Sequence, residues 1–391
     1  MNSLNSSARN SVPTYFEHYF TKIAVREIND NSEKKIISEK SGLTEIAAKE
    51  IATALVNNTS AELLSLNHNS VGDVGALAIA ESLHINTTLL NLKLNSNQIG
   101  VLGVKAIAAA LEINTSLEQL DLSSNVIYAE GALALANSLL INTSLQLLNL
   151  SSTGPNNLGI KSIAAAIVNN SSLKILNLSS NYIKDRGAKA LAETLRNNTT
   201  LQQLDLSSNE FHEEGAKALG EALITNTSLK YLDLEKNISF DTPLQSFKKT
   251  LISNTTLTTC KLGNTTIEYE DAKALAEILK NNTTLTKLAL NIFDISPIGL
   301  TTLRDSLKIE TTLPRISVND FNENQAAEEV QQYIKSFKNK NKEKETLEQK
   351  GIISFCLLSP ELPTEIANLI AQKLLTTEYD AATLRQLGDS V

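Results

Sequence analysis

Histidine and cysteine, the residues that most often hold metals or carry catalysis, are few in this sequence. The histidines are His18, His68, His84 and His212, and the cysteines are Cys260 and Cys356. Their spacing matches no zinc site and no cysteine–histidine catalytic pair, and the glycines form no phosphate-binding loop. We therefore expect a protein that is not an enzyme and that uses neither a metal nor another cofactor.

Asparagine gives the most regular chemical signal, because nine Asn-Thr/Ser-Ser/Thr triplets match the acceptor pattern for N-glycosylation. These asparagines are Asn58, Asn86, Asn114, Asn142, Asn170, Asn198, Asn226, Asn254 and Asn282. They recur every 28 residues, so we interpret them as structural residues that end each helix in the left-handed conformation. The N-terminus lacks the apolar core of a secretory signal, so we also expect no route to glycosylation.

The asparagine spacing belongs to a longer repeat. The phrase Leu-Glu-Gln-Leu-Asp-Leu-Ser-Ser-Asn at residues 117–125 returns every 28 residues without insertion or deletion. The ten repeats begin at Ala61, Leu89, Leu117, Leu145, Leu173, Leu201, Leu229, Leu257, Leu285 and Leu313. A fixed period of this length is typical of a solenoid.

Each repeat changes its hydrophobic period halfway along. Leu120 and Leu122 alternate with polar residues, as in a strand with one buried face. Farther on, an apolar stripe has the spacing of one helix face; its residues are Ala132, Leu135, Ala136 and Leu139. One repeat is therefore a strand followed by a helix, and successive repeats must stack to bury both.

Stacking of such repeats predicts a curved array. Neighbouring strands lie about 4.8 Å apart, whereas packed helices need roughly 8 to 10 Å. The fold class we predict is α/β, a horseshoe-shaped solenoid with a parallel sheet on the concave face and helices on the convex face. One glycine per repeat, such as Gly131, precedes the apolar stripe of the helix, and Cys260 takes a leucine position in the core.

A second asparagine position follows the strand and predicts a ladder of buried side-chain amides that satisfy the turning backbone. Its members are Asn69, Asn97, Asn125, Asn181, Asn209 and Asn237. The ladder should be weakest where Thr153, Thr265 and Phe293 replace asparagine.

The consensus LxxLxLxxNxIxxxGAxALAxxLxxNTS resembles the ribonuclease-inhibitor type of leucine-rich repeat and is similar to the repeat domains of cytosolic nucleotide-binding immune sensors. The resemblance covers residues 33 to about 337 and implies the solenoid fold. The family includes inhibitors, sensors, GTPase activators and bacterial effectors, so the resemblance alone does not select one function.

Composition and organisation narrow the partner classes. The net charge of −8 disfavours nucleic acid, and no segment is apolar enough to span a membrane. We expect a cytoplasmic monomer. Residues 1–60 should form a helical cap with a degenerate repeat, residues 61–337 the array, and residues 338–391 a charged linker with a small helical module in which Cys356 packs.

The exposed strand positions of the concave face are the first candidate binding surface. We select Gln119, Asp121, Leu147, Ile175, Gln203, Asp205, Tyr231, Asp233, Glu235, Lys261 and Lys287. Apolar bulk on an open sheet is typical of an interface. The acidic residues concentrate in the middle of the array and favour a partner with a basic patch, although a solvated sheet face is the alternative.

Aromatic residues at the strand-to-helix loops form a second candidate surface, the loop rim. They are Tyr128, Tyr182, Phe240 and Tyr269. Aromatic side chains give contact area at low entropic cost and can anchor a partner. They can equally pack against the next repeat, and the sequence leaves both interpretations open.

The function we predict is non-catalytic binding of a partner protein through the concave face and the loop rim. From the resemblance, the absent signal peptide and the Asn-, Lys- and Ile-rich composition, we expect a bacterial effector delivered into host cytosol, with a host protein as partner. One alternative is a ubiquitin-ligase adaptor, because residues 362–374 are similar to the first helix of an F-box. The other is a GTPase activator that uses Arg186.

Overall fold

The computed structural model describes residues 14–237, 243–267 and 269–295. The chain forms two compact units, Met1–Asn209 and Glu210–Val391. Within the described residues, strands and helices alternate along the chain. The last part of the predicted array, residues 296–337, and the predicted module at residues 338–391, with its F-box-like segment and Cys356, lie outside the described residues.

The first unit contains seven helices and seven strands within the described residues. The helices are α1 (Thr14–Asp30), α2 (Glu45–Leu55), α3 (Gly72–Leu83), α4 (Val101–Leu111), α5 (Tyr128–Leu139), α6 (Asn156–Ile167) and α7 (Asp185–Asn197). The strands are β1 (Lys35–Ile37), β2 (Leu63–Ser65), β3 (Asn91–Lys93), β4 (Gln119–Asp121), β5 (Leu147–Asn149), β6 (Ile175–Asn177) and β7 (Gln203–Asp205). The degenerate repeat before residue 61 thus contains both a strand and a helix.

The strands of the first unit pair in parallel and in chain order, and every pair keeps the 28-residue offset. Gln119 of β4 stands opposite Leu147 of β5, which stands opposite Ile175 of β6. The leucines on the inner side, such as Leu120 and Leu122, are fully buried. The period of two therefore placed the strand core correctly.

The helices bury the predicted stripe. Ala132, Leu135, Ala136 and Leu139 of α5 are each at most 3% exposed. The glycine of each repeat permits close helix packing: a Cβ at Gly159 would lie 2.8 Å from the Cβ of Ala132 on the preceding helix. Any larger residue there has to displace a neighbouring helix.

The asparagine ladder after the strands is present in the first unit. Asn125 Oδ1 accepts from the main-chain N–H of Asn97 at 3.0 Å and of Ile99 at 2.9 Å. Its Nδ2 donates to the carbonyls of Leu94 and Leu122, both at 2.9 Å. Asn69, Asn181 and Asn209 make equivalent bonds.

Thr153 interrupts this ladder, as predicted. Its hydroxyl donates to the Leu150 carbonyl at 2.6 Å, and its own main-chain oxygen accepts from Ile127 N–H at 3.1 Å. A threonine side chain cannot span two repeats as an amide does, because it is one atom shorter and has a single donor. The side chains of Thr265 and Phe293, the other predicted lapses, are outside the described residues.

The sequon asparagines do not end helices in the left-handed conformation, so that prediction was wrong. None of these nine residues, all of which are described, has a positive φ. They form a second ladder instead. Asn114 Nδ2 donates to the carbonyls of Leu83 at 2.8 Å and Asn86 at 3.0 Å, while its Oδ1 accepts from Ser116 N–H at 3.1 Å and Leu117 N–H at 2.8 Å.

The left-handed residue of the repeat lies elsewhere, directly before the first-ladder position. In successive repeats this position, with φ between 51° and 57°, is occupied by Lys40, His68, Ser96, Ser124, Ser152, Ser180, Ser208 and Lys236. The tight turn after each strand requires this conformation. Serine accepts it at a cost that glycine or asparagine would reduce.

The second unit contains α8 (Glu213–Leu223), β8 (Tyr231–Asp233), α9 (Pro243–Ser253), β9 (Thr259–Ile267), α10 (Tyr269–Asn281) and β10 (Lys287–Ile295). Strand β9 pairs in parallel with β8 and with β10. Strands β9 and β10 each have nine residues, and their pairing is irregular after Ala289 and Ile292. Cys260 is fully buried, as predicted.

Candidate functional site

The strand face consists of the side chains at the third and fifth positions of each repeat, the outward positions of the strands. In the first unit, Gln119 and Gln203 are exposed, and Asp121, Leu147, Ile175 and Asp205 are half-buried. This face therefore offers amide, carboxylate and aliphatic groups side by side. Their role in partner binding stays a prediction.

The two aspartates of β4 and β7 also belong to the fold. Asp121 Oδ1 accepts from the N–H of Ser123 at 2.9 Å and from its hydroxyl at 2.6 Å. Asp205 makes the same bonds to Ser207, at 2.9 and 2.7 Å. These carboxylates stabilise the turn that follows each strand, so their identity is not explained by partner binding alone.

The second unit carries a compact charge cluster on its strand face, formed by Tyr231, Asp233, Glu235 and Lys261. Lys261 Nζ lies 2.7 Å from Asp233 Oδ2 and 3.7 Å from Glu235 Oε2. The Tyr231 hydroxyl donates to the same Asp233 oxygen at 2.8 Å. The ammonium also lies 5.6 Å from the centre of the Tyr231 ring, within the range of a cation–π contact.

Asp233 is only 3% exposed, which corrects its prediction as an open strand position. The side chain of Lys261, which lies 28 residues later on the neighbouring strand, covers it. At this point, an acidic residue from the predicted acidic middle of the array, Asp233, and a basic residue from the predicted basic end, Lys261, therefore neutralise each other. Lys287 of β10 is half-buried and stands opposite Thr259 of β9, at the third position of its repeat.

The cluster shifts the titration of two of its members. Burial raises the pKa of Tyr231 to about 12; the Lys261 hydrogen bond opposes the rise, and the hydrogen bond to Asp233 adds to it. Burial acts to lower the pKa of Lys261, but the hydrogen bonds with Asp233 and Tyr231 outweigh it and raise the pKa above the usual range. Burial also raises the pKa of the Cys260 thiol above its usual range, so this cysteine is a core residue and not a thiolate nucleophile.

The loop rim is open to solvent where the structure describes it. Tyr128 is 55% exposed, Tyr182 is 68% exposed and Tyr269 is 47% exposed. Tyr128 begins α5, and its ring edge lies near Gly154 of the next repeat, 4.0 Å from where a Cβ would stand. It therefore lies beside the next repeat and still presents more than half of its surface. Phe240 lies outside the described residues.

The sequence profile described as "Leucine Rich repeat" matches residues 57–80, 86–108, 114–136, 169–192 and 197–220. The fold is a leucine-rich repeat solenoid. The matched segments do not include the repeat that contains Thr153 and Pro155, which is the repeat where the first asparagine ladder is interrupted.

Solved structures to which this chain is similar include the actin-binding site 2 of leiomodin-1, with 17% identity over 54% of this chain and 97% of that chain and a TM-score of 0.31. The C-terminal domain of Caenorhabditis elegans tropomodulin is 14% identical over 46% of this chain and 91% of that chain, with a TM-score of 0.31. A comparison with curated protein sequences found no significant match.

Sequence reasoning missed three aliphatic residues that extend the rim of the leucine-rich repeats. Leu102, Val126 and Leu158 are 71%, 48% and 67% exposed. With Tyr128 and Tyr182 they occupy four consecutive repeats of the first unit, and we call these five residues the apolar rim. The available signal was that Leu102 and Leu158 occupy the same repeat position, outside the buried stripe of the helix.

A second exposed apolar set lies at the C-terminal ends of helices α3 to α5. Ile85, Ile113 and Ile141 occupy one position of three consecutive leucine-rich repeats and are 61%, 63% and 60% exposed. The adjacent Leu140 is 65% exposed. This set also escaped the sequence analysis, because the residues follow the helix and lie outside its periodic stripe.

Within residues 14–237, 243–267 and 269–295, no group of three or more His, Cys, Asp or Glu side chains is placed to hold a metal ion. In the same ranges, no helix has the length and hydrophobicity needed to cross a membrane.

Proposed function

We propose that this leucine-rich repeat chain is a non-catalytic binding protein that recognises a partner protein through the strand face and the apolar rim. The observation that carries the proposal is the apolar rim. Its five large side chains are between 48% and 71% exposed on four consecutive repeats. Large apolar side chains that are exposed on consecutive repeats are typical of a surface that contacts another molecule.

The strand face complements the rim. Gln119, Gln203 and Asp121 supply polar groups that orient a partner, whereas Leu147 and Ile175 supply apolar contact area between them. A protein interface is usually organised as a few aromatic and aliphatic anchors surrounded by polar groups. Binding at the cluster of Tyr231, Asp233, Glu235 and Lys261 contributes less in this proposal, because those groups satisfy one another.

The finer proposal is that the partner is a host protein and that the chain acts as an effector in host cytosol. It is supported by the resemblance to the ribonuclease-inhibitor type of repeat and by the Asn-, Lys- and Ile-rich composition. Cytoplasmic localisation and a monomeric state belong to the same proposal.

Site-specific photo-crosslinking tests the binding surface. A photoreactive phenylalanine at Tyr182 or at Leu102 should give the same adduct from a eukaryotic lysate and none from a bacterial lysate. The same probe at Glu193, an exposed position in the C-terminal half of α7, should give no adduct. Equal adducts from all three positions would contradict the proposal.

The partner identified in this way permits a quantitative test. The variant Leu158→Ser/Tyr182→Ser should weaken binding by at least about 10-fold, since each anchor residue contributes on the order of 1 to 2 kcal/mol. Its thermal midpoint should match that of the unchanged chain, because both side chains are about two-thirds exposed. Unchanged affinity with unchanged stability would exclude the rim.

A further inference from the structure

The nine sequon asparagines are buried, although their sequence pattern marks them as acceptors for N-glycosylation. Each is between 2% and 7% exposed. An acceptor asparagine must enter an enzyme's active site in an extended loop with its amide nitrogen free. In the folded chain these nitrogens face the interior between consecutive repeats.

In six of the nine residues, the amide nitrogen also uses both of its hydrogens in bonds to the preceding repeat. Asn86 Nδ2 donates to Leu55 O at 2.8 Å and to Asn58 O at 3.0 Å. The same pair of bonds recurs at Asn114, Asn142, Asn170, Asn198 and Asn254. A primary amide has two N–H groups, so neither hydrogen of these side chains is left to replace.

Modification would remove one of these donors. In glycosyl transfer from a lipid-pyrophosphate-linked oligosaccharide, a bond forms between Nδ2 and the anomeric carbon of the sugar. The bond from that carbon to the phosphate oxygen breaks, the lipid pyrophosphate leaves, and the amide loses one proton. A buried carbonyl then loses its partner, and a saccharide has to occupy space that the adjacent repeat fills.

We infer that glycosylation and folding of this chain exclude each other. The unfolded chain presents nine acceptor sites, folding closes all of them, and a glycan on a ladder asparagine prevents the neighbouring repeats from stacking. The folded protein is therefore a product of compartments that lack oligosaccharide transfer. This inference stands independently of the proposed partner binding, because it rests on the ladder alone.

The test exposes the purified full chain to oligosaccharyltransferase and a lipid-linked oligosaccharide donor. The folded chain should acquire no glycan, whereas the chain held in urea and then diluted into the reaction should acquire several, measured as a mass shift that a peptide amidase removes. Glycan transfer to the folded chain without loss of protease resistance would overturn the inference.

A second measurement follows the same chain in cells, with a secretory leader added. Molecules made with an inhibitor of lipid-linked oligosaccharide synthesis should resist limited proteolysis as the cytosolic chain does, and glycosylated molecules should not. Glycosylated molecules with the protease resistance and thermal midpoint of the unmodified chain would refute mutual exclusion.

A matched pair of substitutions separates loss of the sequon from loss of the ladder. Ser116→Ala removes the acceptor pattern at Asn114 but keeps the Asn114 amide and the Ser116 N–H, so the cytosolic chain should keep its protease resistance. Asn114→Gln removes the same acceptor but displaces the amide by one methylene, so the cytosolic chain should lose protease resistance at lower denaturant. Unchanged protease resistance in the Asn114→Gln variant would show that the amide has no structural role and would overturn the inference.

Discussion

The strand face of β4 to β7 and that of β8 and β9 are formed by the same repeat positions, but the side chains at these positions differ in exposure and in their partners. On β4, Asp121 is half-buried, and its carboxylate accepts hydrogen bonds from Ser123 in the turn that follows its own strand. On β8, Asp233 holds the same position but is buried under a lysine of the next strand. The comparison teaches that exposure at a repeat position depends on the residue 28 places later as much as on the position itself.

Lysine placement shows how specific this effect is. Lys93 of β3 stands opposite Asp121 of β4 in the sheet, and Lys261 of β9 stands opposite Asp233 of β8. In the first pair the lysine precedes the aspartate along the chain, and in the second it follows. Among the described residues, only the second pair forms an ion pair. The tyrosine at the third position of β8 completes that cluster, since its hydroxyl binds the shared carboxylate oxygen.

The largest expected effect on stability comes from removing the positive charge of Lys261, which covers Asp233. Lys261→Met should lower the free energy of unfolding by about 2 kcal/mol, because it leaves a buried carboxylate without its cation. Lys93→Met, at the same repeat position of β3, should change it by less than about 0.5 kcal/mol. Chemical denaturation measures both, and equal losses would show that the cluster is not special.

The second-largest effect should come from alkaline pH, which should weaken the cluster and so lower the free energy of unfolding. The folded-state pKa of Tyr231 is about 12, above its ordinary value of 10.0, so the folded chain holds this proton longer than the unfolded chain. The stabilisation is complete below about pH 10 and is lost as the pH rises to about 12. The raised pKa of Lys261 acts in the same direction.

Unfolding measured between pH 9 and pH 12 checks this dependence. Tyr231→Phe should flatten the decline, because the titrating phenol is gone, whereas Tyr182→Phe should leave its slope unchanged. A decline in the Tyr231→Phe variant as steep as in the unchanged chain would assign the pH dependence to other groups.

The smallest effect on stability should come from the open face. Gln203→Ala on β7 removes an exposed amide and should change the free energy of unfolding by less than about 0.5 kcal/mol. If the strand face contacts the partner, the same variant should still reduce photo-crosslinking from Tyr182. A stability loss above 1 kcal/mol would instead place this residue in the fold.

Much of the fold could be predicted from the repeat period, because the period constrains every unit in the same way. The strand leucines, the helix stripe, the first asparagine ladder and its interruption at Thr153 all follow from one pattern. The second ladder was misassigned because Asn at a helix end has two plausible structural roles. Only the actual φ angles separate a left-handed cap from a side chain that bonds to the preceding repeat.

The candidate site was less predictable for a physical reason. Repeat position identifies which side chains point outward, but exposure also depends on the lengths of the side chains beside them. Lys261 is long enough to cover Asp233, and Leu102 projects from the start of its helix with 71% of its surface exposed. Neither outcome can be obtained from the position within one repeat.

The two asparagine ladders have a consequence for how the chain can change in length. Each ladder joins a donor or acceptor in one repeat to the same atoms of the next, as Asn86 and Asn114 do at the ends of their helices. A duplication or deletion of one whole 28-residue segment within residues 89–144 therefore rejoins identical partners at the junction. Gene-level gain or loss of single repeats would leave the backbone chemistry of both neighbours intact and alter only the extent of the binding surface.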